Sequence, residues 1–216
     1  MAEEKQVYII RCDHYQVPVK VGDNFVWATS RAGFLQNKGW KENDRPDLFI
    51  ALDTIWLNTF TSFVSSGVPE LEQKSLIPFV AIDWTDSLGA PEELLEQLVP
   101  IILQYVEKKK IVEMGCIGAH GRTGTLLACL IGKEESLPPK SAIEETRKRY
   151  CKQAIESKSQ IIQVYEFLGS TEEQAELDFP DSFIEYVYKI VDGTWQAVKD
   201  KIDKYQAGTK YESWDY

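Results

Sequence analysis

Cysteine and histidine are scarce in this 216-residue chain, which has four Cys and two His. Cys12, Cys116, Cys129 and Cys151 show no paired spacing, and with His14 and His120 they form no C-x-x-C or H-x-x-x-H set. Neither a zinc-module spacing nor a disulfide framework is therefore encoded, and free thiols in a reducing compartment are the reading. No apolar run approaches the roughly 18 residues of a membrane span. The opening Met-Ala-Glu-Glu-Lys-Gln carries neither the basic nor the apolar part of a secretory signal, so the expectation is a cytoplasmic protein. Positive charge is also short: 24 Lys and Arg against 34 Asp and Glu leave a net charge of −10. Such a field argues against nucleic acid and anionic membrane as partners.

What is present fits a folded domain. Apolar residues make up 44% and charged residues 27%, and a chain this long buries about 70% of its unfolded surface without covalent staples. The first forty residues mix short β-rich runs, Val7 to Ile10 and Phe25 to Ala28, with turn signals at Gly22-Asp23-Asn24 and Gly33. Asp47-Leu-Phe-Ile-Ala-Leu52 and Leu76 to Ile82 are continuous apolar runs of the kind a strand covered on both faces needs. Pro91-Glu92-Glu93 signals a helix start, Leu95, Leu98, Ile102 and Tyr105 recur at helical spacing, and Pro100 predicts a kink.

Ile111 to Met114 is a short strand candidate, followed by a Gly-rich segment and a buried helix through Leu126, Leu127, Leu130 and Ile131. Two more helices are expected from Ser141 to about Arg149 and from Lys158 to Leu168. Strands alternating with helices predict an α/β fold, a central mixed sheet of about four or five strands flanked by helices, over residues 1–169. Apolar stripes through Phe183, Ile184, Val187, Ile190 and Val191, and through Trp195, Val198, Ile202 and Tyr205, predict a C-terminal helical extension over 170–216.

The segment that carries chemistry is Gly115-Cys-Ile-Gly-Ala-His-Gly-Arg-Thr-Gly-Thr125. A Cys five residues before an Arg is weak by itself, because four Cys and six Arg produce such a pair about 0.1 times by chance. Its context strengthens it. The Cys ends a strand, the Arg opens a helix, and Gly118, Gly121 and Gly124 permit unusual backbone angles. Backbone N–H groups turned inward, with the helix dipole behind them, make an anion nest that favours a thiolate at Cys116. Arg122 adds a planar fork matched to two phosphoryl oxygens.

This segment resembles the active-site signature of the cysteine-dependent protein phosphatases, closest to the small dual-specificity and tyrosine type. Trp84-Thr85-Asp86, thirty positions before Cys116, resembles the loop that delivers the general acid, and Ala154 to Gln160 resembles the segment that places the hydrolytic water. The resemblance runs from about Leu76 to Gly169. It implies Cys116 as nucleophile, Arg122 with the loop residues Ile117, Gly118, Ala119, His120 and Gly121 as the phosphate cradle, and Asp86 as general acid. By the same resemblance Thr123 donates to the leaving thiolate, Gln160 orients water, and neither metal nor cofactor takes part. Three positions depart from the family: Gly115 stands where a His is usual, Ala119 where a Gly is usual, and Thr85 where a Pro is usual.

Other readings stay open. Asp83 competes with Asp86 for the acid role, His120 reads equally as a solvent-facing residue, and Cys12, Cys129 and Cys151 read as packed filler. The implied substrate is a phosphorylated protein, phosphotyrosine first and phosphoserine or phosphothreonine second, or a small phosphorylated compound. RNA 5′ ends, inositol phosphates and a non-catalytic phosphate-binding module are the alternatives. A nucleotide-binding reading of Cys116 to Thr123 fails on its missing first Gly and Lys.

Overall fold

The computed structural model describes residues 14–40, 45–65, 78–91, 93–183, 186–191 and 194–199. Val17–Val21 (β1) and Asn24–Ala28 (β2) pair antiparallel, with Val21 opposite Asn24 across the expected turn. Leu48–Ala51 (β3), Phe79–Ala81 (β4) and Val112–Gly115 (β5) complete a five-stranded mixed sheet of order β1-β2-β5-β3-β4, in which every pair except β1/β2 is parallel. Strand β5 is central. Chain order reverses on either side of it, so its carboxyl end opens into the crevice where α/β sheets bind ligands.

The apolar run of β3 is explained by its two partners. Leu48 and Ile50 enter the main core, while Phe49 and Ala51 enter an aromatic cluster with Phe34 and Trp56 on the other face. With both faces covered, no position of the strand is left for a polar residue.

The helices are Arg31–Gln36 (α1), Ile55–Ser65 (α2), Leu94–Glu107 (α3), Gly121–Glu134 (α4), Pro139–Arg149 (α5), Lys158–Phe167 (α6) and Glu172–Asp178 (α7). Helix α4 is buried from Gly121 to Gly132 because α3, α5 and α6 all pack on it. Its Cys129 is fully enclosed, and burial pushes that thiol's pKa far up, as suits inert filler. Pro100 lies on the exposed side of α3, where the carbonyl it leaves unbonded can meet water.

Several expectations are corrected. Gly33 lies within α1 rather than at a turn, and the position is glycine because a Cβ there would stand 2.2 Å from the His14 carbonyl oxygen. Helix α3 begins at Leu94, after Glu93 in the left-handed region at φ 57°, and not at Pro91. Helix α2 carries no signal that the sequence reading used. Beyond α7 and a 3₁₀ turn at Pro180–Phe183, Tyr186–Val191 (β6) and Thr194–Lys199 (β7) form an antiparallel pair, so this part of the extension is strand rather than helix. The physical reason is visible in the composition: β-branched and aromatic residues flank a two-residue Asp192-Gly193 connection, a hairpin pattern that outweighs the helical stripe. The Val7 to Ile10 strand, Cys12 and the tail after Lys199 lie outside the described residues. Among the described residues no helix is long and apolar enough to cross a membrane.

Candidate active site

Strand β5 delivers Cys116 to the crevice, and seven residues later α4 is already running. The Cys116 side chain is 3% exposed, and its Sγ accepts hydrogen bonds from the Ala119 N–H and the Thr123 hydroxyl, each at 3.2 Å. Both donors favour a negative sulfur. Ala119 reaches the sulfur because its backbone takes the left-handed conformation at φ 59°, a geometry that costs a residue with a Cβ about 1 kcal/mol. The Tyr150 hydroxyl, donating to the Ala119 carbonyl at 2.5 Å, holds that peptide in place.

Arg122 is 1% exposed and is gripped from one side. Its Nη1 donates to Asp53 Oδ2 at 2.5 Å and to the Trp84 carbonyl at 2.7 Å, while Nη2 lies 3.2 Å from Asp86 Oδ1. Its Nε is buried with no hydrogen-bond partner among the described residues. The guanidinium therefore has Nη1 fixed by two partners, Nη2 paired with Asp86, and Nε without a partner among the described residues. Trp84 is held in turn by its indole N–H donating to the Leu88 carbonyl at 2.9 Å, which shapes the segment bearing Asp86. The Asp86 side chain is 64% exposed, at the rim of the site. Asp83 is exposed, and no contact places it on the guanidinium.

Gln160 is fully buried at the third position of α6. Its Oε1 accepts from the Glu156 N–H at 2.9 Å and the Ser157 N–H at 3.3 Å, the reciprocal half of a capping box in which Ser157 Oγ accepts from the Gln160 N–H. This cap leaves Nε2 facing the loop between Cys116 and Arg122, 2.6 Å from where a Cβ on Gly121 would be. Of the remaining loop residues, Ile117 and Gly118 are exposed, Ala119 and Gly121 are buried, and His120 is half-buried with Nδ1 3.6 Å from Glu156 Oε1. Ligand atoms of His14, His120 and Cys151 all lie within 4.8 Å of one another.

Gly115 has a steric reason. A Cβ there would fall 2.4 Å from the Thr29 carbonyl oxygen and 2.9 Å from Trp56 Cζ2, so no His fits before Cys116 in this chain. Sequence reasoning missed Asp53. The only signal for it is register: Ala51 pairs with Gly115, so a residue just past β3 stands beside the loop just past β5.

This is the fold of the cysteine-dependent protein phosphatase superfamily. The crystal structure of Tk-PTP in its active form superposes with a TM-score of 0.54 at 17% identity, covering 71% of this chain and 97% of that one. Kinase associated phosphatase (KAP), with its catalytic-site cysteine substituted by serine, superposes with a TM-score of 0.51 at 14% identity, covering 71% and 96%. The chain belongs to the family of the uncharacterized protein MJ0215 of Methanocaldococcus jannaschii, with 31% identity over 163 residues, 75% of this chain and 95% of that protein. A second protein of the same organism, the uncharacterized MJECL20, is 33% identical over 126 residues, 58% of this chain and 78% of its own length. No protein-family model matches the chain.

Proposed function

We propose that the chain hydrolyses phosphomonoesters through a cysteinyl-phosphate intermediate, with phosphotyrosine on proteins as its preferred substrate and phosphoserine or phosphothreonine as further ones. The observation that carries this is Cys116 and Arg122, both buried in one loop and helix start: a sulfur already receiving two donors, and a guanidinium whose Nε has no partner among the described residues and whose Nη2 is paired with the exposed Asp86. A phosphoryl group binds Nε and Nη2 bidentately and displaces Asp86 from Nη2, while Asp53 and the Trp84 carbonyl keep Nη1 in place.

The Cys116 thiolate then attacks phosphorus, the bond to the leaving oxygen breaks, and Asp86, which on release from Arg122 takes up a proton from the substrate monoanion or from solvent, gives that proton to the leaving oxygen. In the second step Asp86 takes a proton from water, the water oxygen bonds to phosphorus, and the S–P bond breaks. The Thr123 hydroxyl, 3.2 Å from Sγ, stabilises the departing thiolate. Gln160 Nε2, directed at the loop beside Gly121, is the group suited to hold the water. The net charge of −10 supports a protein or small-molecule substrate over a large polyanion.

Wild type and Cys116→Ser are to be compared on phosphotyrosine and phosphothreonine peptides, 5′-triphosphorylated RNA and inositol phosphates. Wild type should turn over phosphotyrosine best, and Cys116→Ser should bind it without turnover. If RNA or inositol phosphates exceed every peptide tenfold in kcat/KM, the substrate reading fails; if Cys116→Ser retains wild-type kcat, the nucleophile reading fails.

A further inference from the structure

His14, His120 and Cys151 are far apart in sequence, and the fold gathers them behind the phosphate loop. His14 precedes β1, and its carbonyl is pinned by the Ser30 N–H at 2.8 Å and the Ser30 hydroxyl at 3.0 Å. His120 belongs to the loop itself. Cys151 follows Tyr150 at the end of α5, and the Tyr150 ring lies against His14 with centroids 4.8 Å apart. The two imidazoles meet edge to face at 4.9 Å. His14 and Cys151 are buried, and one ligand atom from each of the three residues lies within 4.8 Å of the others.

The geometry points to a transition-metal site of the zinc class, with His14, His120 and Cys151 as protein ligands and a fourth position for water. Tetrahedral zinc, with bonds of roughly 2.0–2.3 Å, sets its ligand atoms about 3.3–3.8 Å apart, so side-chain shifts of about 1 Å close the set around an ion. Two imidazoles and one thiolate are a donor set of matching softness. The surroundings fit as well. A ligating histidine commonly has a carboxylate on its other ring nitrogen, and His120 Nδ1 has Glu156 3.6 Å away, while its buried Nε2 has no hydrogen-bond partner among the described residues. Cys151 Sγ accepts from the Gln153 N–H at 3.4 Å, a donor that favours the thiolate a metal requires. An ion here ties the phosphate loop, through His120, to the segment before β1 and the turn after α5. The site stands or falls independently of phosphatase turnover, because it is read by binding.

The test uses the full chain carrying Cys116→Ser, so that the loop thiol cannot compete, titrated with Co²⁺ and then displaced by Zn²⁺. One equivalent should bind with a thiolate-to-cobalt charge-transfer band. The band should vanish when Cys151→Ser is added, and affinity should fall at least about tenfold when His14→Gln is added instead. The metal-free thermal midpoint of each variant checks that it is folded, and the two independent substitutions guard against one failing to fold. Absence of the band in Cys116→Ser at millimolar cobalt, or a band and affinity unchanged by both added substitutions, overturns the proposal.

Discussion

Arg122 is held by two carboxylates that differ in what a substrate does to them. Asp53 lies behind the guanidinium and is mostly covered, whereas Asp86 lies in front and is largely exposed. In the proposed reaction a phosphoryl group competes with Asp86 and not with Asp53. Removing the Asp53 charge should therefore loosen Arg122 in every step. Charged hydrogen bonds contribute about 1.5–3 kcal/mol, so Asp53→Asn should lower kcat/KM roughly 10–100-fold, equally for phosphotyrosine and for an activated aryl phosphate. A loss confined to the poor leaving group would instead make Asp53 a proton donor. Asp86→Asn should behave in the opposite way, losing about 10²–10⁴-fold on phosphotyrosine and much less on the activated ester, because protonation matters most when the leaving oxygen is basic. The same profile in Asp83→Asn would move the acid there, against the placement of Asp83 away from the guanidinium.

Packing between elements decides what occupies the position before Cys116. Just past strand β2 comes Thr29, whose N–H bonds the Met114 carbonyl at 2.9 Å, and this brings the Thr29 carbonyl oxygen onto Gly115. A methyl at 115 meets backbone there, not a side chain that can rotate away. Gly115→Ala should therefore destabilise by about 1–3 kcal/mol, read as a lower Cm in urea, and an unchanged Cm would mean that β2 and β5 separate at no cost. The same contrast between local and distant information governs what the sequence showed. Strand β3, strand β5 and the buried start of α4 were legible because their patterns are local: a doubly covered run, then a Cys and an Arg around glycines. The acid-bearing segment was legible only through resemblance. Asp53 was not legible, since its partner is 69 residues away and the pairing register alone unites them. The trio of His14, His120 and Cys151 was hidden for the same reason, and a search for linear metal spacings missed it. The β6–β7 pair was misread because Val187, Ile190 and Val191 satisfy a helical stripe as well as a strand.

Long-range polar contacts bind the sheet to its surroundings through two carboxylates whose pH responses oppose each other. Glu135, at the end of α4, accepts from Arg149 of α5 at 2.5 and 2.8 Å and from the Gly22 N–H at the β1–β2 turn at 3.0 Å. The Arg149 bonds hold its pKa below the ordinary 4.5, so its contribution is complete above that value and is lost as pH falls through the lowered one. Glu113, within β5, is fully buried and accepts from the Thr29 hydroxyl, from Gln16 Nε2 at 3.1 Å and from the Trp40 indole at 2.8 Å. Burial is the larger effect and raises its pKa above 4.5 despite these donors. Here the folded state binds a proton that the unfolded chain has already lost. Stability should therefore fall as pH rises from 4.5 through the raised value, and level off above it. Glu113→Gln has no such titration: its amide oxygen can take the place of Oε2, which accepts from Gln16 and Trp40, while its NH2 faces the Thr29 hydroxyl, which must turn from donor to acceptor, a cost that does not vary with pH. The difference in unfolding free energy between wild type and Glu113→Gln, measured in urea from pH 4.5 to 8, should shrink with rising pH, and other titrating groups cancel in it. A difference that stays constant across that range would show that Glu113 ionises in the fold as freely as in the unfolded chain, and that its three donors offset its burial completely.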